Sequence, residues 1–540
     1  MRKQYFRASL VTKKMKTHYS LLAAFFFLSF IIFSQPAFAD NSDSSHLVVQ
    51  TKQGKVRGTL DQNISVWRGI RYAKAPAGDL RFRAPQPVDS STDVKETTAY
   101  GFDAPQIKNR LASDGPSAED CLFLNIWSPA ADGKKRPVMF WIHGGGFVIG
   151  SGSNPLYDGK NLANKGDVVV VTINYRLGPL GFLYFKDAEA NKLGFENNLG
   201  IRDQIAALQW VKENIAAFGG DPEQVTIFGE SAGGTSVETL LAAHAAKGLF
   251  KGAIAESGPP ALVWNPEVAN TFTQKFFSIL GIHPDSLQAL KKVPVDTMIE
   301  AAETLLRYMV ANTNYKVFTP TIDGDVLTTD IFKCMKPDPE SNVALMLGTN
   351  MNESTMFASR KLKMAPRNSK ELEKYFDDVA KDSKGNVTSA YAGYPKKKAV
   401  LDILTDAVFR IPNIRLAECR SQFAPVYMYR FEWSSFLLNA SGLKSFHGLE
   451  IPFVFGNSGG RIGKILKLIA TKKLIARLSG EMQQSWINFA RYGNPNGIGT
   501  ETWKRYNTTE RATMIFNKES KLAQDPDAKQ RAAWDGVSYY

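Results

Sequence analysis

Cysteine is scarce: the 540 residues hold three, Cys121, Cys334 and Cys419. That excludes a disulfide-dense scaffold and leaves room for one bridge at most. Beyond the N-terminal leader, no stretch approaches the roughly 18 uninterrupted apolar residues of a membrane helix. Stable membrane insertion of the mature chain is therefore not expected. Internal repeats, heptads and low-complexity blocks are missing as well. HExxH and the Cys/His spacings of metal sites do not occur, so no metal and no other cofactor is expected. The net charge of +14 is not gathered into a basic run with interleaved aromatics. No nucleic-acid partner is expected.

The first 39 residues read as an export signal. Arg2, Lys3, Arg7, Lys13, Lys14 and Lys16 precede the apolar run Leu21–Phe33, and Ala37-Phe38-Ala39 supplies a small-x-small cleavage site. Met15-Lys16-Thr17 is an alternative start with a more usual basic region. Residues 1–39 carry no acidic side chain, so their removal takes six cations and leaves a net charge of +8. The expected location is exported, periplasmic or secreted. Residues 40–540 read as a single domain.

Composition is that of a globular protein, with 44% hydrophobic and 22% charged residues. Residues 40–46 are a polar lead-in, and Leu47–Asn63 alternates in β fashion around Gly54 and Gly58. Cys121–Trp127, Val138–Ile142 and Val168–Asn174 are apolar, β-branched runs, as expected of strands buried on both faces. Arg202–Phe218 has helical spacing, closed by Gly219-Gly220, with Asp221-Pro222 expected to open a turn. Val225–Phe228 reads as a strand and Ala232–Ala245 as a helix. Further strands are expected at Ala253–Glu256, Val343–Leu347 and Val426–Phe431. Residues 265–315 and 355–425 read as helical insertions. This alternation predicts an α/β fold with a large, mostly parallel sheet flanked by helices.

Two motifs carry chemistry. Gly229-Glu230-Ser231-Ala232-Gly233 fits G-x-S-x-G between a strand and a helix, the setting in which a serine hydroxyl projects from a tight turn. His143-Gly144-Gly145-Gly146 follows the strand Val138–Ile142, where backbone N–H groups can approach a substrate oxygen. Glycine loop first and serine turn later is the order of an α/β-hydrolase fold, in which the acid and then the histidine follow the serine. Six histidines compete for the role of base. His18 leaves with the leader, His46 sits in the polar lead-in, and His143 belongs to the glycine loop. His244 is placed on the helix after Ser231, in a packing or capping role, and His283 lies in the first insertion. His447, in a late polar loop, remains. For the acid, Glu353 follows the strand Val343–Leu347, and Asp406 and Asp323 rival it; pattern alone leaves the choice even.

Nearly the whole mature chain, from about Val49 to Trp534, resembles the type B carboxylesterases, the group of bacterial para-nitrobenzyl esterases, animal carboxylesterases and cholinesterases. The resemblance rests on Ser117-Ala118-Glu119-Asp120-Cys121-Leu122-Phe123-Leu124-Asn125, Asn174-Tyr175-Arg176-Leu177-Gly178-Pro179, Asn198-Leu199-Gly200-Ile201-Arg202-Asp203-Gln204, the serine turn, Gly348-Thr349-Asn350 and His447-Gly448-Leu449-Glu450. It implies a catalytic set of Ser231, Glu353 and His447. It implies oxyanion donors at Gly145, Gly146 and Ala232, with Glu230, Ser257 and Glu450 in support. In cholinesterases Cys121 pairs with an upstream cysteine around a loop that carries a choline-binding Trp. Here no cysteine precedes Cys121, and Tyr100–Asp120 holds no Trp, so choline esters are not expected. Ser354 stands where the family usually has Gly, and Leu449 where an aromatic is common.

The partner this implies is a small or medium neutral acyl or aryl ester, cleaved through an acyl-enzyme. A lipase acting on long-chain esters is the alternative, and a non-catalytic binding protein such as a neuroligin is a remote one, since the nucleophile stands. Residues 460–480 read as a basic amphipathic helix expected to pack its apolar side on the protein body, with surface association with an anionic membrane as the alternative.

Overall fold

The computed structural model describes residues 47–108, 115–186, 188–312, 318–334, 342–359, 362, 364–379, 381–457, 466, 468–497 and 502–537. All belong to one compact unit, His46–Tyr540. The expected leader, the polar lead-in and His46 lie outside the described residues, as does the side chain of Cys334.

Fourteen strands are described: β1 (Val48–Thr51), β2 (Gly54–Arg57), β3 (Thr59–Asp61), β4 (Ile64–Arg71), β5 (Val94–Glu96), β6 (Phe123–Ser128), β7 (Arg136–Ile142), β8 (Val169–Ile173), β9 (Gly220–Glu230), β10 (Gly252–Glu256), β11 (Ala344–Asn350), β12 (Val426–Phe431), β13 (Ala512–Phe516) and β14 (Lys521–Gln524). Three form a small sheet, β1-β2-β5, and the other eleven form the central sheet in the order β14-β13-β12-β11-β10-β9-β7-β8-β6-β4-β3. The block from β13 to β8 is parallel throughout, and the antiparallel strands lie at the edges. This is the expected mostly parallel sheet.

Burial on both faces explains why the central strands were legible as apolar runs. Along β7, Val138, Phe140 and Ile142 join one core, while Met139 and Trp141 join the core on the other face. A buried ion pair ties the loop after β8 to the helix Leu199–Asn214: Arg176 Nη2 lies 2.6 Å from Asp203 Oδ1, at 2% and 0% exposure. Asp203→Asn strands that guanidinium without its counter-charge. It is expected to lower the urea-unfolding free energy by about 3–5 kcal/mol, and a loss below about 1 kcal/mol would refute the assignment.

Three expectations need correction. Asp221-Pro222 does not open a separate turn but lies inside β9, in a bulge where the pairing jumps from Arg136↔Gly220 to Val138↔Val225. His244 is not on the helix after Ser231. That helix spans Ala232–Ala242, Ala243 is extended (φ −78°, ψ 118°), and His244 opens a separate 3-10 turn. The segment 460–480 is not one helix either. Leu466, Leu468 and Ile469 are helical, Thr471 is extended (φ −73°, ψ 147°), and a separate helix runs from Lys472 to Tyr492, capped by Thr471 Oγ1, which accepts the Leu474 N–H at 3.2 Å. Its Arg477 is held by Glu481 and by the carbonyls of Asn517 and Lys518. Residues 461–465 and Lys467 lie outside the described residues. Among the described residues, no helix is long and apolar enough to cross a membrane.

Candidate active site

Ser231 follows β9, the glycine loop β7, Ser257 β10, Glu353 β11 and the loop of His447 β12, all at carboxyl ends of the parallel block, the edge where sites form on such sheets. Ser231 links β9 directly to the helix Ala232–Ala242, with φ 59° and ψ −121°, a conformation that L-residues rarely adopt. Its own N–H donates to the Glu256 carbonyl at 2.9 Å. The two motif glycines make this turn possible. A Cβ on Gly229 would lie 2.6 Å from the Ile142 and Gly233 carbonyl oxygens, and one on Gly233 would collide with Ile142 O.

The glycine loop leaves β7 and folds onto this turn. A Cβ on Gly144 would lie 2.5 Å from the Glu230 carbonyl oxygen and 3.0 Å from Ser231 Cβ. Gly145 and Gly146 follow at φ +113° and +63°. The Gly145 carbonyl accepts the N–H groups of Val148 and Ile149, both at 3.2 Å. Ala232 is the first helical residue after Ser231, where N–H groups lack intrahelical acceptors. His143 supports the loop: its ring stacks on Tyr175 at 4.4 Å, and Tyr175 OH donates to His143 O at 2.7 Å. Burial pulls its pKa down to about 4, so the ring is neutral at pH 7.

Across the sheet edge, His447 Nδ1 lies 2.6 Å from Glu353 Oε2. The other carboxylate oxygen of Glu353 accepts from Ser257 Oγ at 2.7 Å and from the Asn350 N–H at 2.6 Å. Both residues are buried. His447 Nε2 is 3.1 Å from Glu230 Oε1, but off the hydrogen-bond line, so neither atom has a hydrogen-bond partner. Among the described residues, the Ser231 hydroxyl forms no hydrogen bond either. The rival acids lie elsewhere. Asp406 pairs with Arg410 at 2.6 Å, and Asp323 accepts the N–H groups of Asp325 and Leu327.

The carboxylates around this pair are fully or almost fully buried. Burial first, and then the charges of Glu353 and Glu256, push Glu230 well above the ordinary carboxylate range. Glu450 is pushed up to about 8 by burial, then by Glu230 and Glu353. The folded protein therefore keeps a proton on Glu450 that the unfolded chain loses above about pH 4.5, the ordinary value. Stability falls as pH rises through the window from about 4.5 to 8. Glu450→Gln, neutral in both states, is expected to flatten that fall by about 1.4 kcal/mol per pH unit. Urea unfolding between about pH 5.5 and 7.5 reads it, and parallel curves for variant and wild type would contradict it.

Several site residues carried no separate signal in the sequence. Asn350 bridges the network, its side chain donating to Phe446 O at 2.8 Å and to Glu450 Oε2. Trp486 Nε1 donates to Glu256 Oε1 at 2.7 Å. Phe357 and Phe409 pack together against the His447 ring at 4.9 and 5.1 Å. Asn350 lies inside the quoted Gly348-Thr349-Asn350 and Glu256 ends the expected strand Ala253–Glu256, so both could have been found. The aromatic pair and Trp486 could not, being brought in from distant segments.

A serine on a strained strand-to-helix turn, a glycine loop against it and a buried Glu–His pair point to one class of hydrolase, and comparison with known proteins decides the family. The match to the carboxylesterase family runs over residues 45–534. The chain belongs to the carboxylesterase family. It is 38% identical to the para-nitrobenzyl esterase of Bacillus subtilis (strain 168), over 90% of this chain and 98% of that protein. It is 30% identical to the phenmedipham hydrolase of Pseudarthrobacter oxydans, over 88% and 97%. Among solved structures, a PNB esterase superposes with a TM-score of 0.79 at 37% identity, covering 90% of this chain and 99% of that one. A Geobacillus stearothermophilus carboxylesterase gives 0.78 at 39% identity, covering 91% and 100%. The α/β-hydrolase fold expected from the sequence is therefore present. This carboxylesterase hydrolyses esters, and its named relatives do not favour the lipase alternative.

Proposed function

We propose that this carboxylesterase cleaves small to medium neutral acyl or aryl esters, with Ser231 as nucleophile, His447 as base and acid, and Glu353 as the orienting carboxylate. The observation that carries the reading is the 2.6 Å contact between His447 and a buried Glu353, at the sheet edge that also bears the strained Ser231 turn. In acylation, Ser231 Oγ attacks the ester carbonyl as Nε2 takes its proton, and Glu353 stabilises the imidazolium. This requires the Ser231 hydroxyl to close on Nε2 when substrate binds, as hydrogen bonds in unliganded sites often do. The N–H groups of Gly145, Gly146 and Ala232 receive the oxyanion, and each such donor is worth about 3–4 kcal/mol in comparable enzymes. His447 then protonates the leaving alcohol, and water releases the acid by the same steps. Glu230, Ser257 and Glu450 support the pair. Glu230 favours the imidazolium only when it is ionised, so its influence grows with rising pH.

The relatives named para-nitrobenzyl esterase and phenmedipham hydrolase support aryl-bearing substrates. The test is a series of para-nitrophenyl esters from acetate to palmitate. Rates that peak at short chains in free solution support the reading. Rates that peak at long chains above the solubility limit replace it with a lipase. Residues 1–39 we read as an export leader ahead of a single domain at 40–540. The mass of the protein recovered from the periplasm or medium tests this, since cleavage after Ala39 predicts a chain beginning at Asp40.

A further inference from the structure

Asp406, a rival acid by sequence, is held by Arg410 and Tyr391 and not by the imidazole. Its surroundings show what it does instead. The helices Lys397–Thr405 and Ile411–Arg420 are joined by a π-turn, Asp406–Arg410, in which the Ile411 N–H reaches back five residues to the Asp406 carbonyl. Pro412 explains the widening. It has no N–H to give to the carbonyl four residues back, and its ring would clash there in a straight α-helix. The next residue, Asn413, turns its side chain back to donate to the Phe409 carbonyl at 2.9 Å.

A π-turn is a rare and less favourable conformation, often kept where it serves a site. Here it is braced from inside. Arg410 Nε and Nη2 each donate to the Asp406 carboxylate at 2.6 Å. Tyr391 OH donates to Asp406 and accepts from Trp534 Nε1 at 2.8 Å. Arg410 Nη1 donates to the Pro526 carbonyl at 3.2 Å. Phe409, carried by the braced turn, is 5% exposed and packs on the His447 ring at 5.1 Å with 46° between the planes. Phe357, on the short helix after Glu353, packs on the same ring at 4.9 Å and 51°. The two phenyl rings lie 6.0 Å apart, nearly parallel at 11°. Thr405 Oγ1 accepts the Ser354 N–H at 3.2 Å, which ties the turn to the helix beside the acid.

We infer that Phe409 is a positioning residue for ester hydrolysis, and that the π-turn with its Asp406–Arg410 brace sets its contact with His447. One hydrogen bond at Nδ1 fixes one edge of the imidazole but leaves it free to tilt about that bond. Phe357 and Phe409, stacked on each other, pack together against one side of the imidazole, limit its tilt towards them and so help to aim Nε2. The inference rests on the proposed role of His447 as base and acid.

The variants are Phe409→Leu and Pro412→Ala, and the readout is kcat/KM and kcat for ethyl acetate and para-nitrophenyl acetate. Both esters share one acyl group, but only the ethoxide needs a proton from the imidazolium as it leaves. A mis-aimed Nε2 therefore harms the ethyl ester more. Phe409→Leu is expected to lower kcat/KM about tenfold for ethyl acetate and about threefold or less for the nitrophenyl ester, a part of the usual acid–base contribution. Pro412→Ala restores a backbone N–H, lets the turn tighten, and is expected to act in the same direction more weakly. If Phe409→Leu fails to fold, Pro412→Ala carries the test. Equal losses on both esters would overturn the inference, as would a raised KM at unchanged kcat, which marks a pocket wall. Folded variants with wild-type kinetics would overturn it too. Failure of the underlying reading looks different: His447→Ala would then keep wild-type rates on both esters.

Discussion

Ser231→Ala is expected to lower kcat on para-nitrophenyl acetate by about 10⁵–10⁶-fold, while the unfolding midpoint stays near wild type. The size follows from covalent catalysis. Without the nucleophile no acyl-enzyme forms, and what remains is the oxyanion donors and substrate binding, which leave some 10³–10⁴-fold over water in comparable enzymes. KM should change little, because the hydroxyl adds little to ground-state binding. Stability should hold or rise. Ser231 occupies a strained conformation (φ 59°, ψ −121°), and its hydroxyl forms no hydrogen bond among the described residues, so alanine removes none. Initial rates over a range of enzyme concentrations, with thermal unfolding alongside, check both halves. A loss of less than about 10²-fold would place the nucleophile elsewhere.

Glu353→Gln is expected to lower kcat by about 10⁴-fold with KM nearly unchanged. The carboxylate now accepts from His447 Nδ1, Ser257 Oγ and the Asn350 N–H. An amide keeps the shape but presents N–H to one of these donors. If it faces the imidazole, Nδ1 must accept and Nε2 carries the proton, so the ring can no longer take one from Ser231. The imidazolium also loses its counter-charge. Asp323→Asn is the control: Asp323 caps a turn through the N–H groups of Asp325 and Leu327, and kcat should stay within about twofold of wild type. Comparable losses from the two substitutions would contradict the assignment of the acid.

Much of this arrangement was legible in the sequence because its physics is local. β7, β8, β9 and β10 are buried on both faces and read as apolar runs. The serine turn needs its glycines within two residues on either side. The order of glycine loop, serine, acid and histidine follows from the parallel sheet, which presents its carboxyl ends in chain order. What was illegible depends on distant partners. β4 hides behind Gly69 and the register shift between Trp67 and Ile70. Pattern alone could not choose between Glu353, Asp406 and Asp323, since all three are carboxylates in loops or turns after helical or strand-like sequence. Only the folded chain shows one on the imidazole, one braced by Arg410 and one capping a turn. The amphipathic pattern of residues 460–480 continues across Thr471, where the chain is extended and a new helix starts, because an N-cap side chain outweighs periodicity at that point. Phe357, Phe409 and His447 converge from three segments, and no local spacing announces it.

The central claim is that hydrolysis passes through a covalent bond to Ser231. The most direct measurement is to treat the protein with a dialkyl phosphorofluoridate, which phosphorylates activated serines, then digest it and locate the added mass by tandem mass spectrometry. The account predicts one phosphoryl group per chain, on Ser231, with esterase activity lost in proportion and no labelling of His447→Ala. A label on another residue that tracks the loss of activity, or full inactivation with Ser231 unmodified, would contradict it.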